Sequence, residues 1–311
     1  MEHHPLLVIL GPTASGKTKL AVKLAEALSA EIISADSRQV FRNMDIGTGK
    51  DLQEYHINGK DIPYHLINIK DAGEKYNVNE YKEDFYRIFE SLSAKKVLPI
   101  LCGGTGMYVH SILQEQEYTA IPINESLRAV LLAKDISELR AMLGDYPEEV
   151  VAHADLSSHK RLIRVLEIAE YLQHHDFTPV KRPLINPFIV GLQTEVMLRK
   201  QKILNRMEAR FKEGMIEEVK ALLEMGVDRE TLIFYGLEYK FIISYLDGSL
   251  TMDELKLRLG TAICQFSKRQ MTFFRKMEKD GLKIHWFDAA QDEADLYGKV
   301  ITAYQQNSSS F

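Results

Sequence analysis

GPTASGKT at residues 11–18 follows the apolar run LLVIL at residues 6–10, near the start of the chain. The octapeptide fits G-x-x-x-x-G-K-[ST], the P-loop pattern, and residues 17–28 continue it with apolar positions at helical spacing. Its glycines permit backbone angles that a side chain would block, so successive N–H groups can point at phosphate oxygens. The helix that follows adds its positive N-terminal end. We therefore predict a site for a diphosphate or triphosphate, and the Lys and Thr after the second glycine disfavour a plain glycine turn.

Individual residues of this loop have predicted roles at the phosphates. Lys17 supplies a mobile positive charge, and Thr18 carries a hydroxyl that can ligate Mg²⁺. The motif does not indicate which molecule carries the phosphates. The predicted phosphate-binding residues are Gly11, Thr13, Ala14, Ser15, Gly16, Lys17 and Thr18.

Composition limits the compartment and the class of partner. The chain has 311 residues and only two cysteines, which favours a reducing compartment, so we expect a cytoplasmic protein. We expect neither a membrane span nor a signal peptide, because the apolar runs are short and the first strand begins almost at once. The formal charge of −5 is unlike that of many nucleic-acid binders, but basic residues crowd positions 160–212. A local basic face and a merely solvated helical surface are equally compatible with that cluster.

Strand and helix patterns alternate in the first third of the chain. Short apolar runs and helical spacing predict strands at 6–10, 31–34, 64–69 and 97–101, and helices at 17–28, 78–93 and 107–113. Such alternation is typical of a parallel sheet covered by helices on both faces. The predicted fold is therefore an α/β, P-loop NTPase-like sheet, with its ligand outside the carboxyl ends of the strands.

The pattern changes after residue 115, which predicts four segments. They are a first part of the core at 1–115, a small helical insert at 116–157, a return to the core with C-terminal helices at 158–290, and a tail at 291–311. The return includes a strand at 186–192, then helices at 195–213, 216–225, 235–246 and 252–277, and ends in a short strand at 283–287. The polar end of the tail predicts disorder.

Further motifs follow predicted strands or interleave charge with aromatic rings. Asp36 follows the second strand, where an acid can hold Mg²⁺ indirectly or accept a proton; a turn cap is the alternative. GGTG at 103–106 opens a helix and can offer N–H groups and the Thr105 hydroxyl, although glycines also serve plain turns. KRQMTFFR at 268–275 suits nucleic-acid stacking, but its helical spacing alone favours a core face with charges outside.

In this order, the motifs resemble those of the bacterial tRNA dimethylallyltransferase (isopentenyltransferase) family. The P-loop, DSRQ at 36–39 and MDIGT at 44–48 carry the likeness, and GGTGMY at 103–108 looks like the family's GGTG-x-Y turn. RLIRVLE at 161–167 is similar to its R-x-x-R-x-L-E helix, and residues 268–275 to its K-R-Q-x-T-W-F-R block. The resemblance spans about residues 5–287. Phe41 and Phe273 replace the family's usual Tyr and Trp. The family's G-Y-K-E motif appears here as EYKF at 238–241.

The resemblance implies a specific reaction. Dimethylallyl diphosphate would donate its five-carbon group to the exocyclic N6 amine of the adenosine 3′-adjacent to the anticodon in tRNA. Mg²⁺ would be held near Thr18, Asp36 would accept the amine proton, and Thr105 with Gln39 would hold the flipped base. The implied partners are the anticodon stem-loop of tRNA and the donor, with a monomeric protein and no membrane. The implied catalytic residues are Asp36, Thr105 and Lys17, and the implied tRNA contacts are Asp36, Ser37, Arg38, Gln39, Thr105, His159, Lys160, Arg161, Arg164 and Arg269.

Other functions stay open at this point. Transfer to free AMP would keep the donor, but a mononucleotide needs neither the central basic cluster nor the long helical C-terminal half. An ATP-dependent small-molecule kinase fits the P-loop and leaves residues 103–108 and 268–275 unexplained. A non-enzymatic P-loop module that binds RNA or a nucleotide would have no need of Asp36.

Overall fold

The computed structural model describes residues 3–114, 117–151, 156 and 158–308. The chain divides into two compact units, the first made of Met1–Gln114 with Pro183–Phe311 and the second of Glu115–Arg182. Within the described residues, no helix is both long and apolar enough to span a membrane.

The strands all belong to the first unit. In chain order they are β1 (His3–Leu10), β2 (Glu31–Ser34), β3 (His56–Ile57), β4 (Lys60–Asp61), β5 (Tyr64–His65), β6 (Pro99–Gly103), β7 (Leu184–Gln193) and β8 (Ile284–Asp288). Six of them form one sheet in the order β5-β2-β6-β1-β7-β8, and every neighbouring pair is parallel. The remaining two, β3 and β4, pair as an antiparallel hairpin.

The helices of the first unit precede and follow those of the second. The first unit begins with α1 (Lys17–Leu28), α2 (Val78–Ala94) and α3 (Gly106–Leu113); the second holds α4 (Glu125–Leu132), α5 (Ile136–Met142), α6 (Glu148–Val151) and α7 (His159–His174). The first unit then resumes with α8 (Val196–Lys212), α9 (Met215–Glu224), α10 (Arg229–Tyr235), α11 (Leu237–Leu246), α12 (Met252–Lys279) and α13 (Glu293–Ser308).

Alternate residues of the central strand β1 face opposite sides of the sheet, as the period of a strand requires. Leu6 and Val8 pack into a cluster with α2, α3 and α12, and Leu7 and Ile9 into a cluster with α1 and α13. Because helices cover both faces, the strand is apolar at every position from residue 6 to residue 10. The predicted α/β fold with a parallel sheet is confirmed.

A helical layer formed by α8–α12 packs on the loop that follows β2. The side chains of Phe41 and Met44 from that loop are buried in one apolar cluster with these helices. The ring of Tyr235 at the end of α10 lies 4.3 Å from the ring of Phe41, centre to centre. The C-terminal helices therefore support this loop through a shared apolar cluster.

The end of the chain differs from the predicted tail. Residues 293–308 form α13, and Leu296 and Val300 are buried in the cluster that α1 and the sheet share. The polar residues 305–308 continue this helix, because its buried side chains anchor the turns that precede them. Residues 309–311 lie outside the described part of the chain.

Three predicted boundaries also differ. The second unit extends to Arg182, beyond the predicted end at 157, because α7 packs its apolar face on α4 and α5. The strand predicted at 64–69 ends at His65, since Leu66 and Asn68 adopt left-handed φ angles of 61° and 56°. The helix predicted at 235–246 begins at Leu237 as α11, because Gly236, in an extended conformation, separates it from α10.

The close approach of β2 and β6 yields a stability prediction. A Cβ atom on Gly103 would lie 2.2 Å from the carbonyl oxygen of Ala35, and backbone cannot move aside as a side chain can. We expect Gly103→Ala to lower the free energy of unfolding by about 1–3 kcal/mol, as overpacking does, measured by urea denaturation. Gly298→Ala, in α13 with open space around it, is the control and should raise it by about 0.5–1 kcal/mol. Equal effects of the two substitutions would contradict this account.

Candidate active site

Three turns meet at the carboxyl edge of the sheet. The P-loop follows β1, Asp36 follows β2, and Gly104 follows β6, and these three strands are neighbours in the order β2-β6-β1. The backbones of the last two turns are joined, because Thr105 N donates to the carbonyl oxygen of Ala35 at 3.1 Å. All three turns line one cavity of about 580 Å³. The predicted common site is therefore a single cavity in the first unit.

The P-loop has the backbone of an anion site. Ala14 and Gly16 both have positive φ angles, 60° and 80°, and the Ala14 conformation is uncommon for a residue with a side chain. The Ser15 hydroxyl oxygen is buried and has no hydrogen-bond partner among the described residues. A buried polar atom without a partner favours a ligand at this point, because desolvation of an unpaired hydroxyl is costly.

Lys17 is partly withdrawn from water at the start of α1. Its ammonium donates to the carbonyl oxygen of Pro12 at 2.8 Å, which leaves further N–H groups for a ligand. Burial lowers the pKa of Lys17 to about 8, although the nearby Cys102 and Asp36 side chains oppose that shift. A phosphate bound at the loop would restore the charged form, since an opposite charge favours it.

Asp36 presents one carboxylate oxygen to the protein and one to the cavity. Its Oδ1 accepts the backbone N–H of Arg38 at 2.9 Å, which fixes the carboxylate at the turn. Within the described residues, Oδ2 has no hydrogen-bond partner, and the side chain lines the cavity. Thr105 braces the same turn, because its Oγ1 accepts the N–H of Ser37 at 3.0 Å. Asp36 thus caps the turn with Oδ1, as the alternative prediction has it, and has Oδ2 left for a ligand.

Gln39 is oriented by the glycine-containing loop at 44–50. Its Nε2 donates to the carbonyl oxygen of Gly49 at 3.1 Å, and its Oε1 accepts from the Ser34 hydroxyl at 3.3 Å. That loop is held in turn by Glu218 on α9, whose carboxylate accepts the backbone N–H groups of residues 45–47 at 2.6–3.0 Å. A helix distant in sequence therefore sets one wall of the cavity.

Gln270 joins two of the three turns, a role that sequence reasoning missed. Its Oε1 accepts the N–H of Thr13 in the P-loop at 2.9 Å, and its Nε2 donates to the carbonyl oxygen of Gly104 at 2.9 Å. The residue stands in the K-R-Q block at 268–275, where the sequence indicated a core helix face or a nucleic-acid contact. Only the pairing across the fold shows this bridging role.

Two arginines of α8 add positive charge that the motifs did not reveal. Arg206 donates to the carbonyl oxygen of Gly49 at 3.3 Å and pairs with Asp51. Arg210 is only 9% exposed, lines the cavity, and has no hydrogen bond or ion pair to any described residue. Burial lowers the pKa of Arg210, but an arginine remains cationic at neutral pH. An unpaired buried guanidinium beside a P-loop favours an anionic ligand.

Glu238 completes this charged wall. It lines the cavity at the start of α11, and burial raises the pKa of its carboxyl group, with Arg210 and Arg206 opposing the shift. A carboxylate at this position offsets part of the positive charge of the two arginines.

The remaining predicted contacts fall into two groups. Asp36, Ser37, Arg38, Gln39, Thr105 and Arg269 all line this cavity of the first unit. The others begin α7 in the second unit, where Lys160 and Arg161 are exposed. His159 instead contacts the carbonyl oxygen of Lys134 at 2.7 Å, and Arg164 donates to that of Ile121 at 2.6 Å. Those two side chains therefore brace the second unit itself.

Comparison with known proteins points to one family. The family model described as IPP transferase matches residues 39–277, and one described as Isopentenyl transferase matches residues 4–64. Among curated relatives, "tRNA dimethylallyltransferase 2" of Phocaeicola vulgatus is 48% identical over 97% of this chain and 98% of its own length. "tRNA dimethylallyltransferase 2" of Treponema denticola is 45% identical over 92% and 96%.

Solved structures agree in fold. The tRNA isopentenylpyrophosphate transferase of Bacillus halodurans aligns with a TM-score of 0.72 and 31% identity, over 97% of this chain and 96% of that one. A eukaryotic dimethylallyltransferase acting on tRNA aligns with a TM-score of 0.74 over 92% of this chain and 74% of that one. At 20% identity, the second likeness concerns the fold alone.

The lowered pKa of Lys17 predicts proton uptake when diphosphate binds. With a pKa of about 8, the protonated fraction of free Lys17 falls from about nine-tenths at pH 7 to about one-tenth at pH 9. Bound phosphate oxygens favour the ammonium form, so binding near pH 8.5 should draw a proton from the buffer. We expect calorimetry with inorganic diphosphate, in two buffers of different ionisation enthalpy, to reveal that uptake.

Lys17→Arg is the matched variant, because its guanidinium stays charged at every pH used. Wild-type protein should take up more protons than this variant near pH 8.5, and the difference should vanish near pH 6.5. The same uptake by both proteins at the higher pH would show that Lys17 does not change its charge on binding.

Proposed function

This chain belongs to the IPP transferase family, and from that premise we propose that it prenylates tRNA. The reaction transfers the dimethylallyl group of dimethylallyl diphosphate to the N6 amine of the adenosine 3′-adjacent to the anticodon and releases diphosphate. One observation carries the proposal: a phosphate loop and a carboxylate with a free oxygen line the same cavity. Its volume of about 580 Å³ lies in the range of sites that enclose a small ligand.

The donor's diphosphate belongs at the P-loop. Backbone N–H groups of residues 14–18 and the Lys17 ammonium would hold its oxygens, whereas the Thr13 N–H is taken by Gln270; Arg210 would supply the counter-charge on the other wall. Negative charge grows on the diphosphate as the carbon–oxygen bond breaks, so fixed positive groups stabilise the transition state more than the ground state.

Mg²⁺ fits the oxygen groups on this wall. Thr18 and Asp36 line the cavity, and the described residues contain no group of three or more His, Cys, Asp or Glu that could hold a metal. This composition suits Mg²⁺, which usually takes one or two protein oxygens together with substrate phosphates and water. Thr18 would hold the ion directly, and substrate phosphates and water would complete its shell. When bound, Mg²⁺ would neutralise charge on the leaving diphosphate.

Asp36 is the proposed general base. The amine nitrogen attacks the donor's first carbon, a carbon–nitrogen bond forms, the carbon–oxygen bond to diphosphate breaks, and the amine proton passes to Oδ2 of Asp36. The N–H of Arg38 holds the other oxygen, so the base is oriented before the substrate arrives. Gln39 and the Thr105 turn would position the adenine ring that is turned out of the RNA strand.

The RNA itself would be held by exposed basic side chains. Arg38 and Arg269 stand at the cavity, and Lys160 with Arg161 stand exposed at the start of α7. Phosphate contacts of this type give affinity that falls with salt. Arg164 is assigned a tRNA contact only through the family resemblance, because its guanidinium bonds to carbonyl groups of its own unit.

A product analysis separates this proposal from its rivals. The protein is incubated with Mg²⁺ and dimethylallyl diphosphate, and with unmodified tRNA or AMP in separate reactions, and digested products are analysed by mass spectrometry. We expect one added five-carbon group on adenosine from tRNA and none on AMP. Product from AMP alone would assign a mononucleotide prenyltransferase instead. No product in either reaction would reject prenyl transfer and favour the kinase or the binding module.

The role of Asp36 predicts a separation of rate from donor binding. Asp36→Asn keeps an oxygen for the N–H of Arg38 but removes the base, so we expect kcat to fall by about 10²–10⁴-fold. The KM for dimethylallyl diphosphate should change less than about threefold, because the P-loop is intact. Asp61→Asn, with a side chain 91% exposed on the β3–β4 hairpin, is the control. A kcat near the wild-type value would exclude Asp36 as the base.

A further inference from the structure

The cavity is bordered by two aromatic rings that the core does not use. Phe234 is 71% exposed and Phe266 is 41% exposed, and among the described phenylalanines only these two are so exposed. Both also line the cavity that contains Asp36. Exposure of a large ring is unfavourable in water, so two at the edge of one site indicate a binding surface.

Each of these rings lies beside an arginine. The guanidinium carbon of Arg38 is 5.4 Å from the centre of the Phe234 ring, and Arg38 also donates to the Phe234 carbonyl oxygen at 3.1 Å. The guanidinium carbon of Arg269 is 6.0 Å from the centre of the Phe266 ring. Each ring therefore lies next to a positive charge, and the hydrogen bond fixes Arg38 at Phe234. We call Phe234 with Arg38, and Phe266 with Arg269, the two ring–arginine pairs.

The ring–arginine pairs suit contact with a nucleic-acid strand better than contact with the donor's hydrocarbon group. A five-carbon chain would be served by a dry apolar wall, whereas each of these rings is open to water and beside a cation. Aromatic rings stack on unpaired bases, and arginines beside them contact the phosphates that follow. A base turned out of its strand also leaves its two neighbours without one stacking partner each.

We propose that Phe234 and Phe266 stack on the two bases that flank the acceptor adenosine, one base for each ring. Arg38 and Arg269 then contact the phosphates at those bases. The inference rests on the proposed function, since it assumes an RNA acceptor. The ring–arginine pairs take over the stacking that the neighbours lose, so the acceptor base enters the cavity while the strand stays ordered at its edge.

The test compares the affinities of wild-type and variant proteins for an unmodified anticodon stem-loop RNA, measured by fluorescence anisotropy at one salt concentration. Phe234→Ala and Phe266→Ala should each weaken binding at least about fivefold, as loss of one stacked base does. Phe→Tyr at either position should bind within about twofold of wild type, because the ring is kept, whereas Phe→Leu should behave like Ala. Leu257→Ala, an exposed apolar residue of α12 outside the cavity, is the control and should leave binding unchanged.

Two further RNAs, each lacking one of the flanking bases, identify what each ring touches. The penalty of Phe234→Ala should disappear with one of these RNAs and that of Phe266→Ala with the other. Penalties that persist with both RNAs, or no penalty with the intact RNA, would overturn the inference. A raised KM for dimethylallyl diphosphate with unchanged RNA binding would assign the rings to the donor instead.

This outcome is separable from failure of the proposed function. Wild-type protein that modifies the intact RNA supports the function whatever the variants do. Each variant's melting temperature is compared with that of wild type. If an Ala variant is unstable, the comparison of the Tyr and Leu variants still shows whether the aromatic ring is needed for RNA binding.

Discussion

The backbone contact between Ala35 and Gly103 is the constraint on which the site depends. It brings the end of β2 against the end of β6, so the Asp36 turn and the Gly104 turn share one backbone network. Gln270 then ties the second turn to the P-loop through one acceptor and one donor. The separation of the Asp36 turn from the P-loop is thus set by main-chain hydrogen bonds and by the Gln270 amide, which bonds to two turns at once. Such preorganisation is what a reaction with a poor nucleophile requires.

The helical C-terminal layer sets the other wall of the cavity. The Glu218 carboxylate accepts hydrogen bonds from the three consecutive backbone N–H groups of residues 45–47. It also accepts one from the Tyr239 hydroxyl at 2.9 Å. The loop places the Gly49 carbonyl oxygen where both Gln39 and Arg206 donate to it. The same layer contributes Arg210, Phe234 and Phe266. In the proposed reaction, the parallel sheet with its P-loop would bind the phosphates, and the added helices would supply the remaining charge and the surface for the acceptor.

Features that depend on neighbours in sequence could be predicted from the sequence. The P-loop, its helix at 17–28 and the strand at 31–34 match the structure, because apolar period and glycine positions act locally. Asp36 could be placed at the cavity because the carboxyl ends of parallel strands share one edge. Gln270, 257 residues from its partner Thr13, could not be assigned its bridge, since no local pattern marks that contact. The sequence did not indicate α13 for a related reason. Its polar residues are ordered by Leu296 and Val300, which pack on parts of the sheet that are distant in sequence.

The most direct measurement is a crystal structure with a donor analogue whose bridging oxygen is sulfur, which slows transfer, together with an unmodified anticodon stem-loop RNA. The account predicts diphosphate oxygens at the P-loop and at Arg210, with the N6 amine of the adenosine within about 3 Å of Oδ2 of Asp36. An adenosine that stays stacked in its RNA loop, or an amine directed away from Asp36, would contradict the claim that this cavity joins donor, acceptor and base.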